Sequence, residues 1–172
     1  MSSVGNLEIT GMAADGEVED HVIAGAQEGD QGDAPDSYQT SRMSNGPLHG
    51  VGPAATLFLG ACVDTESDGA PSANALGDDL ASGNVLGGVC VGNDDEDGVV
   101  YSAPVVACQT TSISVTASQA GRLDAWIDWN RDGDFADAGE QIATNQLLAV
   151  GANILAPAVP CSVTAGPTFS RY

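Results

Sequence analysis

Apolar and polar residues alternate most regularly between residues 107 and 130. Ile113, Val115 and Ala117 alternate with Ser and Thr, and the following run, "RLDAWIDWN", places Leu, Ala, Ile and Trp at every second position. A period of two is typical of strands that bury one face. The short polar stretch "SQAG" separates the two runs, so the sequence predicts an antiparallel hairpin.

Other apolar runs are shorter and predict further strands. They are "ATLFLGACVD", Val99 to Tyr101, "EQIAT", "NILAPAVP" and the beginning of a strand in "GPTFSRY". Residues 147–150 suit a helical turn, a strand or a bend equally well, and residues 65–88 are rich in Gly, Asp, Ser and Asn, which favours a loop. Many short strands joined by turns predict an all-β fold, an antiparallel β-sandwich of Ig-like or jelly-roll-like type with long acidic, Gly-rich loops.

The charge balance excludes several classes of partner. The 172 residues include 24 Asp and Glu but only 4 Lys and Arg, a net charge of -20. Such a surface repels nucleic acid and anionic membranes. Although acidic chains can be disordered, 42% of these residues are hydrophobic, which favours a packed core. No apolar stretch is long enough for membrane insertion, and the N-terminus is unlike a signal peptide, so we expect any export signal to lie upstream.

The densest candidate for chemistry is "DWNRDGDFADAGEQ", residues 128–141. Its Asp and Asn residues occupy positions one, three, five and seven, with Gly133 at position six, as in the front half of an EF-hand calcium loop. Position twelve is Gly139 instead of Glu, and a predicted strand precedes the loop, so it resembles the strand-flanked calcium loops of extracellular β proteins. We predict Ca²⁺ as the cofactor, with six ligands: Asp128, Asn130, Asp132, Asp134, Asp137 and Glu140.

A simpler interpretation of this loop is a turn with solvated charges, since Asp-Gly alone favours turns. Repulsion among its five carboxylates weighs against that interpretation. A second acidic run, "NDDEDG" at residues 93–98, lacks alternating ligand spacing. For that run the sequence predicts a solvated loop, with metal binding as the alternative.

Signatures of enzymes are missing from the sequence. It contains no Gly-rich phosphate loop, no G-x-S-x-G and no H-E-x-x-H. His21 and His49 are far apart, and His49 in "NGPLHG" is typical of a loop or surface position. We therefore predict no catalytic residues and no enzymatic activity.

The four cysteines, Cys62, Cys90, Cys108 and Cys161, form no C-x-x-C pair and have no neighbouring His, which argues against zinc. Disulfides are the favoured interpretation, and free thiols in a reducing cytosol are the alternative. Four cysteines allow three connectivities. We favour Cys62 with Cys90 and Cys108 with Cys161, because these pairs would staple the Gly- and Asp-rich segment and tie two flanking strands.

Several motifs together resemble the GEVED domain, a module of large secreted and cell-surface bacterial proteins. They are "DGEVEDH" at residues 15–21, "GDAPDSY" at 32–38, "VDTESDGAPSANALGDD" running into "NDDEDGVVY", and "LDAWIDWNRDGDFADAGEQI". The resemblance implies an extracellular β-sandwich that recurs in tandem within long, non-catalytic surface proteins. It carries no established enzymatic activity.

The order of these motifs departs from the family. In the family the GEVED motif closes the domain, after a strand that resembles "TFSRY", whereas here it lies at residues 15–21. We therefore expect residues 1–24 to complete a neighbouring repeat, 25–37 to form a linker and 38–172 to form the sandwich. The assembly strand would use the apolar residues Leu7, Ile9, Val18, Val22 and Ile23. The repeats would be joined covalently or by strand exchange, which adds a strand to an open sheet edge.

From these features we predict a structural repeat unit of an extracellular filament or cell-surface fibre. Its partners would be copies of itself in a head-to-tail polymer, stabilised by calcium and disulfides. The alternative is an adhesin-type module that binds glycans or surfaces through its acidic loops, and a domain accessory to a secreted hydrolase is a further one. An adhesin would need an exposed aromatic platform, for which Trp126 and Trp129 on a predicted strand offer little material.

Overall fold

A computed structural model describes residues 29–51, 56–77, 85–91, 95–163 and 165–172. Strands account for most of the regular structure, and a single short 3-10 helix at Asp36–Tyr38 is the only helix in these ranges. The strands are β1 (Gly29–Asp30), β2 (His49–Gly50), β3 (Cys62–Val63), β4 (Gly87–Gly88), β5 (Val99–Tyr101), β6 (Ile113–Ala117), β7 (Gly121–Ile127), β8 (Gln141–Leu148), β9 (Gly151–Leu155) and β10 (Ser170–Arg171). All pairings are antiparallel, so the predicted all-β antiparallel class is confirmed.

Two three-stranded sheets form the main body. One has the order β5-β6-β9 and the other β10-β7-β8, while β1-β2 and β3-β4 form separate two-stranded ribbons. Both three-stranded sheets contribute to one apolar cluster. Its buried members are Ile113, Val115, Ala117, Leu123, Ala125, Ile127, Trp129, Ala143, Leu148 and Val159.

The predicted hairpin between the two alternating runs is wrong. β6 pairs with β5 and β9, whereas β7 pairs with β8 and β10, so the three residues between them, 118–120, join two different sheets. The alternation itself was read correctly, because the same apolar residues are buried. Alternation specifies which face of a strand is buried but not which strand lies beside it. The apolar faces of β6 and β7 both pack into the same core, although the two strands are not paired.

The remaining strand predictions hold in shorter or shifted form. Residues 147–150, for which the sequence allowed a helical turn, a strand or a bend, include the end of β8 at Leu148 and the turn that leads into β9. The run "ATLFLGACVD" contributes β3 and an isolated bridge from Leu59 to Ala117. Among the described residues, the Gly- and Asp-rich stretch at 65–88 is loop except for the two residues of β4.

Both favoured disulfides are present. Cys62 bonds Cys90, and Cys108 bonds Cys161, which leaves no free cysteine. The first joins the β3-β4 ribbon to the chain just beyond it, and the second links the segments that lead into β6 and away from β9. Disulfides persist in oxidising compartments, so this pairing supports the predicted export of the chain.

The segment predicted as a linker, residues 25–37, is only partly described. From Gly29 onward it carries β1 and the buried side chains of Gln31, Asp33 and Ala34. These residues are therefore packed against the body. The predicted assembly strand, with Leu7, Ile9, Val18, Val22 and Ile23, and the motif at residues 15–21 lie outside the described residues.

Candidate functional site

The acidic loop that follows β7 is shaped by its own side chains. The side-chain oxygen of Asn130 accepts a hydrogen bond from the N–H of Asp132 at 3.0 Å. Asp132 accepts from the N–H of Asp134 at 3.3 Å, and Asp134 from that of Ala136 at 2.8 Å. Each contact spans two residues, as in an Asx-turn, so alternate polar side chains bend the chain step by step.

Asp128 anchors the start of this loop from inside the protein, with none of its surface exposed. One carboxylate oxygen accepts the N–H of Arg131 at 2.5 Å. The other accepts the hydroxyl of Tyr38 at 2.6 Å and the N–H of Gly133 at 3.1 Å. Gly133 has a φ of 96°, a left-handed conformation that favours glycine. Both oxygens of Asp128 are thus committed to structural hydrogen bonds.

Glu140 anchors the end of the loop in the same way and is 2% exposed. Its oxygens accept the N–H of Trp129 at 3.1 Å and the N–H of Asp137 at 3.3 Å. Burial raises the pKa of this carboxyl. The indole N–H of Trp129 donates to the carbonyl of Gly139 at 3.2 Å, which fastens the loop end to the core.

Three exposed carboxylates face one another at the tip of the loop. Asp132, Asp134 and Asp137 each place an oxygen within 4.8 Å of the others. The amide of Asn130 donates to Asp132 at 2.9 Å and to Asp137 at 2.5 Å, and the bond from Asn130 lowers the pKa of Asp132. Four of the six predicted ligands, Asn130, Asp132, Asp134 and Asp137, therefore lie together at the loop tip. Asp128 and Glu140 are buried and instead hold the two ends of the loop by hydrogen bonds. An all-oxygen donor set of this kind fits the ligand preference of Ca²⁺.

Arg131 is the cation closest in sequence to these carboxylates, but its side chain is directed elsewhere. The guanidinium donates to the carbonyls of Pro167 at 2.9 Å and Ala165 at 3.0 Å. The hydroxyl of Thr168 donates to the carbonyl of Asp128 at 2.5 Å. These bonds tie the loop to the segment that leads into β10.

Sequence reasoning did not identify the aromatic group beneath the loop. The ring of Tyr38 lies 4.8 Å from that of Phe135 and 5.1 Å from that of Phe169, measured between centroids. Arg171 lies over the ring of Phe135 at 5.2 Å and donates to the carbonyl of Tyr38 at 3.0 Å. The sequence did mark Tyr38 as the aromatic residue that ends "GDAPDSY". Its ring partners, Phe135 and Phe169, are too distant in the chain to be identified from a local pattern.

A second group of carboxylates, which we call the buried acidic cluster, consists of the buried Asp64 and the partly buried Asp30, Glu66 and Asp95. Burial first, and then the negative charge of neighbouring carboxylates, raises the pKa of Asp30 to about 7 and that of Asp95 to about 6. Burial and a hydrogen bond with Asp64 raise the pKa of Glu66 to about 9. The prediction of a solvated loop at residues 93–98 agrees with the exposed Glu96 and Asp97, whereas Asp95 is partly buried near distant segments.

A cleft of about 960 Å³ is lined by residues of both three-stranded sheets and by several segments from the first hundred residues of the chain. Apolar side chains from both sheets line it, and Asp30 and Asp95 of the buried acidic cluster lie at its wall; the apolar lining includes Leu59, Val99, Leu123, Leu148 and Phe169. The cleft follows β7, whose pairing with β10 covers only Trp126 and Ile127. From Gly121 to Ala125, this side of β7 has no strand partner among the described residues.

Comparison with known proteins supports the resemblance noted in the sequence. The model of the GEVED domain family matches residues 122–172, which contain β7 to β10 and the acidic loop. No curated protein and no solved structure matches the chain significantly. No helix within the described part of the chain is both long and apolar enough to cross a bilayer. The match and the two disulfides together indicate a small domain of the extracellular or cell-surface kind.

Proposed function

From the GEVED domain at residues 122–172, we propose that the chain is a structural subunit of an extracellular filament or surface fibre. Each subunit would complete its neighbour by donating residues 7–24 as a β-strand. The observation that carries this proposal is the unpaired side of β7 beside an apolar cleft. A strand laid along Gly121–Ala125 would pair with the backbone groups on this side of β7 and cover the apolar lining.

The donor would come from another copy of the chain. Leu7 and Ile9 alternate with polar residues, and Val18, Val22 and Ile23 supply further apolar side chains, so the segment offers strand-like apolar faces. In the GEVED family the motif at residues 15–21 follows the strand that corresponds to β10, the edge strand next to the open side of β7. A donor that enters there from a second copy continues the sheet. Because donor and acceptor surfaces differ, the contact repeats without closing and produces a polymer.

Substitution of the donor strand tests this assembly. Val18→Asp combined with Val22→Asp places two charges on one face of the donor strand, the face that would enter the cleft, so we expect polymers to be lost. Leu147→Asp is the matched control, because Leu147 is 64% exposed on β8. Electron microscopy and sedimentation velocity measure the outcome. Added to unsubstituted protein, the donor-defective copies keep their clefts and bind at one end only, so they shorten the polymers.

Two results would contradict the assembly proposal. One is that the donor-defective protein forms polymers of normal length. The other is that the unsubstituted protein is monomeric and the two substitutions lower its melting temperature, which would mean that residues 7–24 fill the cleft of their own chain. Each result is distinguished by the same sedimentation and melting measurements.

We further propose that the tip of the acidic loop binds Ca²⁺ through Asp132, Asp134 and Asp137, with Asn130 beside them. The proposal is supported by the proximity of three exposed carboxylate oxygens on a loop whose curvature is set by hydrogen bonds. A bound divalent cation would offset their mutual repulsion. It would also stiffen the loop next to Arg171 and Phe169, at the edge where the donor strand would be received.

Removal of Ca²⁺ by a chelator, followed by measurement of the melting temperature, tests this site. At a free Ca²⁺ concentration 100 times the Kd, binding adds about 2.7 kcal/mol to stability, so excess chelator lowers the melting temperature. Asp134→Asn keeps an oxygen to accept the N–H of Ala136 and removes one charge, and we expect calcium affinity at this loop to fall at least about tenfold. Asp124→Asn is the control, since its oxygen can still accept the N–H of Asn145. Equal calcium affinity in both variants would contradict a site at the loop.

A further inference from the structure

We propose that the buried acidic cluster, Asp30, Asp64, Glu66 and Asp95, is a second site for a divalent cation, of the hard, oxygen-preferring class represented by Ca²⁺. This site is separate from the acidic loop after β7 and goes beyond the proposed function. It would join three chain segments that are far apart in sequence.

The backbone brings these segments together before any ion is considered. Glu66 forms a bridge to Gly29 just before Asp30, with its N–H donating to the carbonyl of Gly29 at 3.1 Å. Its carboxylate accepts the N–H of Gln31 at 3.0 Å. Asp95 accepts the N–H of Asp64 at 3.3 Å, which fastens the third segment to the residue after β3. The convergence is therefore built by specific hydrogen bonds.

Oxygens inside the cluster are left without hydrogen-bond partners. Asp64 is only 2% exposed, and its Oδ1 is buried with no partner. Oε1 of Glu66 and Oδ1 of Asp95 are also buried and accept no hydrogen bond from an N–H group. The hydrogen bond between the carboxyls of Glu66 and Asp64 needs a shared proton, which a bound cation would replace. Buried polar atoms are almost always hydrogen-bonded, and a buried carboxylate oxygen without a partner is costly. A cation bound among these residues would satisfy such oxygens from three residues of one cluster.

The charges around Asp64 identify it as the centre of the group. The carboxylate of Asp64 raises the pKa of Asp30, of Glu66 and of Asp95, so its charge lies near all three. Repulsion of this kind is relieved by a bound proton or by a bound cation. A divalent cation reverses the sign of the interaction and holds the carboxylates ionised.

The chemistry of the donors selects the class of ion. All four side chains offer carboxylate oxygens, with no imidazole or thiolate in the cluster, which suits Ca²⁺ better than Zn²⁺. Asp30 and Asp95 line the cleft, so an ion can enter from solvent along that wall. No three carboxylates of this cluster have oxygens that all lie within 4.8 Å of one another, as those at the loop tip do, so binding would draw the three segments inward.

Asp64→Asn tests the cluster in the full chain. The substitution keeps the shape of the side chain and removes the central charge, so metal-free protein should melt at the same or a higher temperature. The rise in melting temperature on adding Ca²⁺ should shrink, and equilibrium dialysis with elemental analysis should find one fewer tight calcium per chain. Glu66→Gln is the second variant, because its amide oxygen can still accept the N–H of Gln31.

The controls separate this site from the loop. Asp124→Asn should keep the full calcium count, and Asp134→Asn should lose only the calcium at the loop. If the loop binds nothing, Asp64→Asn should still remove one calcium, so failure of the two proposals can be told apart. The proposal would be overturned if Asp64→Asn changed neither the calcium count nor the calcium-induced rise in melting temperature. Glu66→Gln takes its place in this test if Asp64→Asn does not fold. Protons shared between the carboxyls would then be what relieves the repulsion in the cluster.

Discussion

Tyr38 connects three parts of the molecule through one side chain. Its hydroxyl donates to the buried carboxylate of Asp128, and its ring contacts Phe135 and Phe169. Burial first, and then the bond to Asp128, raises the pKa of this phenol, so it remains a hydrogen-bond donor at neutral pH. A single residue thereby fixes the position of the acidic loop relative to β10.

Tyr38→Phe should therefore destabilise the fold by about 2 kcal/mol, because Asp128 loses a donor inside the protein while Gly133 still donates to it. Urea unfolding followed by tryptophan fluorescence measures the change. Tyr101→Phe is the matched control: Tyr101 is exposed and its hydroxyl bonds only that of Tyr172 among the contacts described, so the cost should stay below about 0.5 kcal/mol. Equal losses in the two variants would contradict the assigned role of Tyr38.

Strands and their connections show where local patterns stop being informative. β6 and β7 are adjacent in sequence, yet they lie in different sheets. The chain between β5 and β6 and the chain after β9 are instead held together by the disulfide Cys108–Cys161, which closes a loop of 53 residues. This covalent link stabilises the sheet β5-β6-β9 by restricting the unfolded chain.

Replacing Cys108 and Cys161 together by Ser should lower the free energy of unfolding by roughly 4 kcal/mol, from the entropy of closing a loop of that length. Both cysteines are exposed, so the substitution buries no new polar group. The pair Cys62 and Cys90 serves as the comparison. Its loop is shorter at 28 residues, but Cys62 is 1% exposed, and a buried Ser adds a desolvation cost. Chemical denaturation measures both, and a loss below 1 kcal/mol for the exposed pair would contradict the entropic account.

The whole molecule carries a net charge of -20, and its acidic residues are not spread evenly. Some carboxylates, such as those of Asp128 and Glu140, accept hydrogen bonds from backbone N–H groups. Others lie close together at the loop tip or in the buried acidic cluster. Divalent cations at the two proposed sites would remove four charges where repulsion is most concentrated. The stability of the molecule would also depend on a neighbouring copy, because the proposed assembly covers the apolar wall of the cleft beside β7.

Much of the molecule follows from local sequence alone. Alternation with a period of two determined the buried faces of β6 and β7, and the position of Asp and Asn at every second residue determined a loop bent by its own side chains. Turn chemistry and strand alternation act over a few residues, so a linear pattern contains them. The pairing of cysteines was also predicted correctly, because each pair brackets one coherent segment.

Only the tertiary structure decided which strands are neighbours and which carboxylates are buried. Nothing near Asp95 in sequence distinguishes it from the acidic residues around it, and its partial burial goes with a hydrogen bond from the N–H of Asp64, which lies 31 residues away. Likewise, the partners of Tyr38 are set by how β10 and the loop fold back over "GDAPDSY". Burial and charge proximity are properties of packing between distant segments, and a one-dimensional pattern does not contain those distances.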